Sequence, residues 1–460
     1  MSGEREMGGA TDAAIRVPFG QPSLATSRRF LIAGVISCLA GFPVFWRYGE
    51  HATRLDLVAA ILAVGALLVS SRLAQSVSGD RASASRNELI SEAAVFIAFL
   101  AFYAFTAGTD TSPYNAHVRQ AFALIHGHAY IDAPNYIEHA QVGKYSYQLH
   151  PPIPAFLLMP IVAIWGMDTN QNYFSIFCGA LDIALAWRLL GRFRLTTNSR
   201  VWLTVFFGAG TIVWSETVNG SSWAVSMVVA ILFTLIALDE TYAKARPLVV
   251  GIFAGLAGLA RYDLPFVWPV YLALLYLRGR RKLSELIWFI PGCALAGVIY
   301  VSFNMVRFHS VFDRGVFYYM PPGQQRLFGF SFFPGNLFTL LFMAPNVNGT
   351  FPYIHPQFGG QALILTSPAF LLALRPSFRK LENILIAMGA LIAMTPSLFY
   401  VGNGASQFGT RHYLHAFPFL LLLMAFGVHR RADQLTRILI SVSVFLIAFG
   451  VWHVRMYGFG

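Results

Sequence analysis

The chain has 460 residues, of which 56% are hydrophobic and only 12% are charged, and its formal net charge is +12. Soluble globular proteins have about a quarter of their residues charged, so this composition excludes an ordinary soluble domain and predicts an integral membrane protein. The positive charge does not indicate nucleic acid as a partner, because the cytoplasmic loops of membrane proteins collect Lys and Arg.

The N-terminal part contains a polar tail and three apolar runs. Residues 1–29 form the tail, which ends in Arg28-Arg29, and the predicted spans after it lie at about 30–46, 55–71 and 89–107. We expect the basic tail to be cytoplasmic and residues 30–460 to form one transmembrane domain. The third span then delivers the chain to the outer side.

A long polar loop, residues 108–167, follows the third span. It is rich in Asp, His, Asn, Lys and Tyr, and polar chemistry concentrated in one loop of a membrane protein marks the expected catalytic region. Within it the apolar piece 153–165 has only 13 residues and contains Pro154 and Pro160. A span needs about 20 residues, so this piece is predicted to be a juxtamembrane helix on the outer surface.

The remaining apolar runs alternate across the membrane if 153–165 stays outside. Further spans are predicted at about 172–190, 201–217, 222–239, 247–261, 264–277, 284–304, 360–374, 382–400, 413–428 and 435–453. Most Lys and Arg residues then lie at inner ends. The expected fold is all-α and polytopic, with about 13 transmembrane helices and a second large outer loop at 305–359.

Asp110 follows the third predicted span directly, at the outer edge of the bilayer. A carboxylate there could accept the proton of an acceptor hydroxyl, as a general base does. Asp110 could instead cap the helix that the following Ser112, Pro113 and apolar pattern predict. Both roles stay open from the residues alone.

A few cations lie on the predicted outer side beside apolar or aromatic residues: Lys144, Arg261, Arg307, Arg314 and Arg411. Arg and Lys bind phosphate, so these side chains are candidates for holding a lipid phosphate at the membrane face. Each could also contact lipid headgroups or extend its charge to the interface. For Arg261, an internal ion pair with Asp263 is a further alternative.

The same loop offers candidate substrate contacts. His150 precedes two prolines, and Tyr114 and Tyr147 could face a sugar ring or a prenyl chain. A divalent metal is possible, because histidines cluster in this loop: His117, His126, His128, His139 and His150. They lack a tight pair at helical spacing with a third ligand, so no metal site is assigned.

Several motifs together resemble the GT-C glycosyltransferases, membrane enzymes that use polyprenyl-phosphate sugars. These motifs are Asp110 after a span, Gly143-Lys144-Tyr145-Ser146-Tyr147, His150-Pro151-Pro152, and later Gly409-Thr410-Arg411-His412-Tyr413. The family includes protein O-mannosyltransferases and the transferases that add aminoarabinose or galacturonic acid to lipid A. The resemblance covers loops between about 108 and 415.

The resemblance implies a GT-C-like fold with an extracytoplasmic cavity in the bacterial inner membrane. It implies Asp110 as base, and Arg261, Arg411, Arg307 and Lys144 as ligands of the donor phosphate. Tyr114, His150, Tyr147 and Asp263 would contact substrate. The expected reaction is inverting transfer of a sugar to a hydroxyl of a cell-envelope glycan or lipid, with no obligatory cofactor.

Two other classes stay open. A transporter or flippase of a lipid-linked intermediate would also have many spans, but its polar residues would be expected near the centres of broken helices and not in outer loops. A structural protein of envelope assembly, without catalysis, is the other.

Overall fold

The computed structural model describes residues 81–108, 111–132, 139–279, 282–312, 315, 326–402, 404, 407–428 and 431–457. The polar tail and the predicted spans 30–46 and 55–71 lie outside the described residues, and so does Asp110.

The described chain is mostly α-helical and has two short β-hairpins. Its first half contains α1 (Arg81–Thr106), α2 (Ala116–Ile125), β1 (His139–Val142), β2 (Tyr145–Gln148), α3 (Ile153–Trp165), α4 (Gln171–Leu190), α5 (Thr197–Ala209), α6 (Val213–Asn219) and α7 (Ser222–Tyr242). Its second half contains α8 (Pro247–Ala260), α9 (Trp268–Gly279), α10 (Leu283–Leu286), α11 (Phe289–Phe308), α12 (Phe333–Phe342), β3 (Asn346–Val347), β4 (Ile354–His355), α13 (Leu363–Thr366), α14 (Leu381–Leu398), α15 (Phe417–Val428) and α16 (Gln434–Tyr457). The antiparallel pairs are β1 with β2 and β3 with β4.

Seven helical segments of the described chain are long and apolar enough to cross a membrane: Asn87–Thr106, Gln171–Leu190, Ser222–Tyr242, Leu283–Phe308, Leu381–Leu398, Arg411–Val428 and Gln434–Tyr457. The prediction of an all-α polytopic membrane protein is confirmed at this level. Three of these segments are mostly buried inside the protein: Gln171–Leu190, Ser222–Tyr242 and Arg411–Val428, with 72%, 89% and 83% of their apolar windows buried.

The predicted span 201–217 is not one straight helix. It divides into α5 and α6, which are bent by 46° relative to each other. At the break the Thr211 hydroxyl donates to the Phe207 carbonyl at 2.7 Å and accepts from the Val213 amide at 3.2 Å. The side chain thus replaces backbone partners that a continuous helix would supply, which allows the bend.

The predicted span 360–374 is also interrupted. It consists of the four-residue α13 and a 3-10 helix at Pro368–Leu374. Pro368 has no N–H to donate and disfavours helical backbone at the residue before it, which ends α13.

The described helices do not reach the predicted total of about 13 spans. Besides the interrupted segments, α8 has 14 residues and α9 has 12, fewer than the roughly 20 that a straight span needs. Two further predicted spans lie outside the described residues, so the total stays a prediction.

The short helix predicted at 153–165 is confirmed as α3, with 13 residues. Pro152 occupies its N-cap and Pro154 its first turn, where a missing N–H leaves no helical bond unmade. It packs against α2, and Trp165 at its end is 60% exposed. The first outer loop therefore contains a helix, a hairpin and a second helix in sequence.

The segment before α2 is hydrogen-bonded to the N-termini of α4 and α7. The Ser112 amide donates to Asn172 Oδ1 at 3.1 Å, and the Ala116 amide donates to Ser222 Oγ at 2.8 Å. The Tyr114 carbonyl accepts from the amide and the hydroxyl of Ser222 at 2.9 and 2.6 Å. These bonds fix the start of the outer loop on α4 and α7.

Small residues allow α8 and α11 to pack closely. A Cβ at Gly251 or at Gly292 would overlap a backbone carbonyl of the other helix, and one turn further Gly255 faces Ala296. Small residues one turn apart let membrane helices approach at backbone distance. This contact sets the separation of two helices that line the cavity described below.

The two ends of the bundle differ in charge. At one end arginines pair with carboxylates, mostly between helices: Arg188 with Glu92, Arg192 with Asp239, Arg200 with Glu88, Arg246 with Glu240, Arg278 with Glu382 and Arg375 with Asp433. This end holds the C-termini of α4 and α7 and the N-termini of α14 and α16. It corresponds to the ends that the basic residues predict to be cytoplasmic.

Candidate functional site

A cavity of about 1190 Å³ lies at the opposite end of the bundle. Its wall is formed by residues 149–151 after β2, the N-terminal turns of α7, the C-terminal end of α8, the middle of α11, the C-terminal half of α14 and residues 411–412. These segments are distant in sequence. They meet because successive spans run in opposite directions, which brings alternate helix ends to one face.

Most of the cavity wall is apolar, with side chains that include Met227, Leu259, Phe266, Trp268, Ala296, Phe328, Ile392 and Phe399. Phe266 and Phe328 are 63% and 47% exposed, so the apolar wall continues to the surface of the molecule. Apolar surface of this kind favours a hydrocarbon ligand over water.

Two buried hydrogen-bond donors lie at the polar part of the wall. Arg261 Nε and Trp223 Nε1 are both buried, and neither has an acceptor among the described residues. Burying a donor without an acceptor costs about 1–3 kcal/mol. A ligand with anionic oxygens would supply the acceptors, and a guanidinium is well shaped to bind phosphate.

Arg411 reaches the same region from a different part of the chain. It begins the 3-10 helix Arg411–Ala416, and its guanidinium carbon lies 5.2 Å from the centre of the Trp223 ring. A cation above an indole face is held by the ring quadrupole. Trp223 therefore lies against Arg411, which with Arg261 makes up the two predicted phosphate ligands in the wall of this cavity.

Asp263 is the only acidic residue among the described residues of the cavity wall. Its Oδ2 lies 3.1 Å from His415 Nε2 and 3.5 Å from Arg261 Nη2, and its Oδ1 is buried without a hydrogen bond in the described chain. Burial by itself raises the pKa of Asp263, but His415 and Arg261 outweigh it and hold that pKa below its usual value. The alternative of an Arg261–Asp263 ion pair is thus present inside the candidate site.

His150 lines the cavity, and its ring centre lies 5.5 Å from that of His117. The Nε2 of His117 lies 2.9 Å from the Ser222 carbonyl and 2.9 Å from Ser226 Oγ. A carbonyl only accepts, so Nε2 carries the proton in His117. Burial lowers the pKa of His117 to about 3, with the neighbouring His150 lowering it further.

Tyr114 contacts the cavity through another ring. It is absent from the cavity wall itself, and its ring centre lies 4.8 Å from that of Trp223, which is part of the wall. Tyr114 therefore packs against Trp223, and its contact with substrate stays a prediction.

Arg307 does not line the cavity. Its guanidinium donates to the Gln148 carbonyl at 2.7 Å and to Asn304 Oδ1 at 3.0 Å, and it stacks on the rings of Phe303 and Phe308. These contacts hold the end of β2 on α11. They give Arg307 a positioning role, and the phosphate contact predicted from the sequence stays a prediction.

Tyr147 and Lys144 lie on the β1–β2 hairpin and away from this cavity. Tyr147 packs edge-on against Phe308, with ring centres 5.4 Å apart. Lys144 Nζ lies 5.2 Å from the centre of the Tyr145 ring and borders a second cavity of about 560 Å³. Of the predicted site residues, the main cavity thus gathers His150, Arg261, Asp263 and Arg411.

The sequence left two roles open for Asp110, which is outside the described residues. The helix that follows it is α2, whose N-cap position is occupied by Asn115. Asn115 makes no side-chain capping hydrogen bond, and both roles of Asp110 stay predictions.

No group of three or more His, Cys, Asp or Glu residues with metal-binding geometry occurs in the described part of the chain. Of the clustered histidines, His117 and His150 lie side by side, whereas His126 bonds to the Phe122 carbonyl and His128 stacks on Tyr130. The described residues support no metal site.

Sequence reasoning missed Trp223 and His415. Trp223 stands at the start of a span, where an aromatic residue is expected for interfacial reasons alone. His415 follows Arg411-His412 in the same 3-10 turn, and that cluster of bases was the available signal. Only the folded structure shows that His415 contacts Asp263.

The described chain defines the protein as a polytopic α-helical membrane protein with an amphipathic cavity at one end. The chain matches no family model, and no curated protein is similar to it at a significant level.

Proposed function

We propose that the protein is a glycosyltransferase of the bacterial inner membrane. It would move a sugar from a polyprenyl-phosphate donor to a hydroxyl of a cell-envelope glycan or lipid on the extracytoplasmic face. The observation that carries this proposal is the cavity in which an apolar wall leads to Arg261, Arg411 and Trp223. A lipid with an anionic head has this combination of chemistries.

The apolar and cationic parts of the cavity wall would bind the two parts of the donor. The prenyl chain lies along the apolar side chains, and the phosphate accepts hydrogen bonds from Arg261 Nε and Trp223 Nε1, two donors of the cavity wall that have no acceptor in the described chain. The positive charge of Arg411 beside Trp223 adds to the attraction. These groups also stabilise the negative charge that grows on the phosphate as it leaves.

The proposed reaction is a single displacement. The acceptor oxygen attacks the anomeric carbon, the bond from that carbon to the phosphate oxygen breaks, and Asp110 takes the acceptor proton. The sugar configuration inverts, and polyprenyl phosphate leaves with the bonding electrons. A GT-C-like fold, which the motifs resemble, belongs to this proposal.

The experiment uses purified full-length protein with a polyprenyl-phosphate sugar and a hydroxyl acceptor. Asp110→Asn should abolish transfer and leave the thermal unfolding midpoint unchanged. Asp168→Asn, at an exposed carboxylate directly after the same outer loop, is the matched control and should retain activity. Near-normal turnover of Asp110→Asn would remove the proposed base.

A transporter of a lipid-linked intermediate is the second candidate, and one observation favours it. Asp182 lies within α4, is fully buried, and neither carboxylate oxygen has a hydrogen bond among the described residues. Ionisable residues inside a span often mark transport or proton pathways. A transporter leaves a polyprenyl-phosphate sugar chemically unchanged in detergent and loses flux in Asp182→Asn, whereas the transferase consumes the donor.

A further inference from the structure

The second cavity, of about 560 Å³, lies between α2 and the β1–β2 hairpin of the first outer loop. It is separate from the main cavity, with no wall residue in common. The side chains that give it its character are Arg119, His128, Tyr130, Asp132, Lys144 and Tyr145.

Three rings form a continuous aromatic wall. His128 stacks on Tyr130 with ring centres 4.0 Å apart and planes 12° apart, and the centres of Tyr130 and Tyr145 are 4.6 Å apart. Both tyrosines are more than a third exposed, at 37% and 38%. Because these rings stack on one another, the parts that they present to the cavity include their edges and the tyrosine hydroxyls, and such a mixed apolar and polar surface suits a sugar ring.

Two cations accompany this wall. Arg119 is oriented by its bonds to Asn115 Oδ1 at 2.9 Å and to the Asp132 carbonyl at 2.6 Å. Lys144 Nζ lies above the Tyr145 ring, and neither cation pairs with a carboxylate among the described residues. Asp132 contributes one negative charge, so the two cations leave the cavity net positive.

The hairpin connects the two cavities. Tyr145, at the start of β2, borders the second cavity, and His150, just after β2, borders the main one. A strand advances about 3.3 Å per residue, so these positions are separated by roughly 17 Å. A short oligosaccharide can cover that distance.

We propose that the second cavity binds an acidic saccharide. One sugar ring contacts the exposed edges and hydroxyls of Tyr130 and Tyr145, and its carboxylate is held by Lys144 and Arg119. In the reaction proposed above, this saccharide is the acceptor glycan, whose far end reaches the main cavity. That assignment as acceptor rests on the proposed function, whereas the binding itself does not.

The test is calorimetric titration of the full-length protein in detergent with trigalacturonate, and with the neutral maltotriose for comparison. Trigalacturonate should bind and maltotriose should bind at least tenfold more weakly, because charge-assisted hydrogen bonds contribute about 1.5–3 kcal/mol. Lys144→Ala and Tyr130→Ala should each weaken trigalacturonate binding about tenfold. Lys380→Ala, an exposed lysine at the opposite end of the bundle, is the control and should bind normally.

Absence of trigalacturonate binding, or equal affinity for both saccharides, overturns the proposal. So does unchanged affinity in Lys144→Ala and Tyr130→Ala. Lys144 and Tyr130 are both exposed, so the variants should fold, which the thermal unfolding midpoint checks. Trigalacturonate binding by a wild-type protein that transfers no sugar keeps this proposal and counts only against the proposed function.

Discussion

The imidazole Nε2 of His415 lies 3.1 Å from Oδ2 of Asp263, between the C-terminal end of α8 and the start of the α15 span. The same nitrogen lies 2.8 Å from the Ala393 carbonyl, so it carries the proton and donates. This contact holds the Asp263 carboxylate beside Arg261, at the wall of the main cavity. The carboxylate therefore moderates the positive charge of the proposed phosphate site.

Asp263→Asn should tighten the binding of polyprenyl phosphate about five- to thirtyfold. The substitution removes a negative charge within a few ångströms of the phosphate, where like charges repel by about 1–2 kcal/mol at an intermediate dielectric. Binding is measured by titration with the lipid phosphate in detergent. The exposed Asp168→Asn should leave the affinity unchanged, and weaker binding in Asp263→Asn would contradict this account.

Arg261→Ala should raise the dissociation constant for polyprenyl phosphate about ten- to hundredfold, because a charge-assisted hydrogen bond is lost. The measurement is the same titration. Arg261→Lys should recover only part of the affinity, since an ammonium cannot reproduce the planar guanidinium. Unchanged affinity in Arg261→Ala would place the phosphate elsewhere.

Trp223→Phe isolates one hydrogen bond. Phenylalanine keeps a ring for Tyr114 and Arg411 to contact but lacks the indole N–H, so we expect roughly a fivefold loss of phosphate affinity. Trp165→Phe, at a tryptophan that is 60% exposed at the end of α3, is the control. Equal effects of the two substitutions would show that the Trp223 N–H donates to no ligand.

Gly292→Ala should destabilise the protein by about 1–3 kcal/mol, because its Cβ would overlap the backbone of α8 and the two helices would have to separate. Gly297→Ala, on the same helix, has nothing within 4 Å of the added carbon. It should be neutral. The thermal unfolding midpoint in detergent compares them, and equal midpoints would mean that α8 and α11 are not in backbone contact.

Acidification from about pH 7 to about pH 5 should reduce stability through His117 by about 2 kcal/mol. Burial lowers its pKa from 6.5 to about 3, so over this range the unfolded chain takes up a proton and the folded chain does not. The stability is present above the unfolded pKa and is lost as the pH falls below it. His117→Gln removes this loss, whereas His126→Gln, at an exposed histidine, retains it. Parallel pH profiles of the two variants would exclude this role.

Several features of the fold could be predicted from local sequence. The helix α3 was predictable because a 13-residue apolar run is too short to span and prolines mark its start. The bend after α5 was not, because it depends on one hydroxyl, that of Thr211, which replaces backbone partners. Pro368 is itself a sequence signal for the interruption of 360–374, but the apolar composition of that run favoured a continuous span.

The candidate site also combines residues that local sequence indicated with contacts that it did not indicate. Arg261 and Arg411 stood out as cations beside apolar residues, and both line one cavity. Arg307 had the same local pattern, yet its guanidinium is bonded to Gln148 and Asn304. A cation that binds a ligand and one that binds the backbone look alike in sequence, because the difference is which acceptors the folded chain brings near.

The sequence by itself determined that this is a membrane protein, because hydrophobic composition and the length of apolar runs are local properties that do not depend on how the helices are arranged. It also determined which end of the bundle collects basic charge. Only the tertiary structure decided that residues as distant as His150, Trp223, Asp263 and Arg411 share one cavity. Such convergence depends on helix direction and on backbone contact between α8 and α11, which arise when the spans pack.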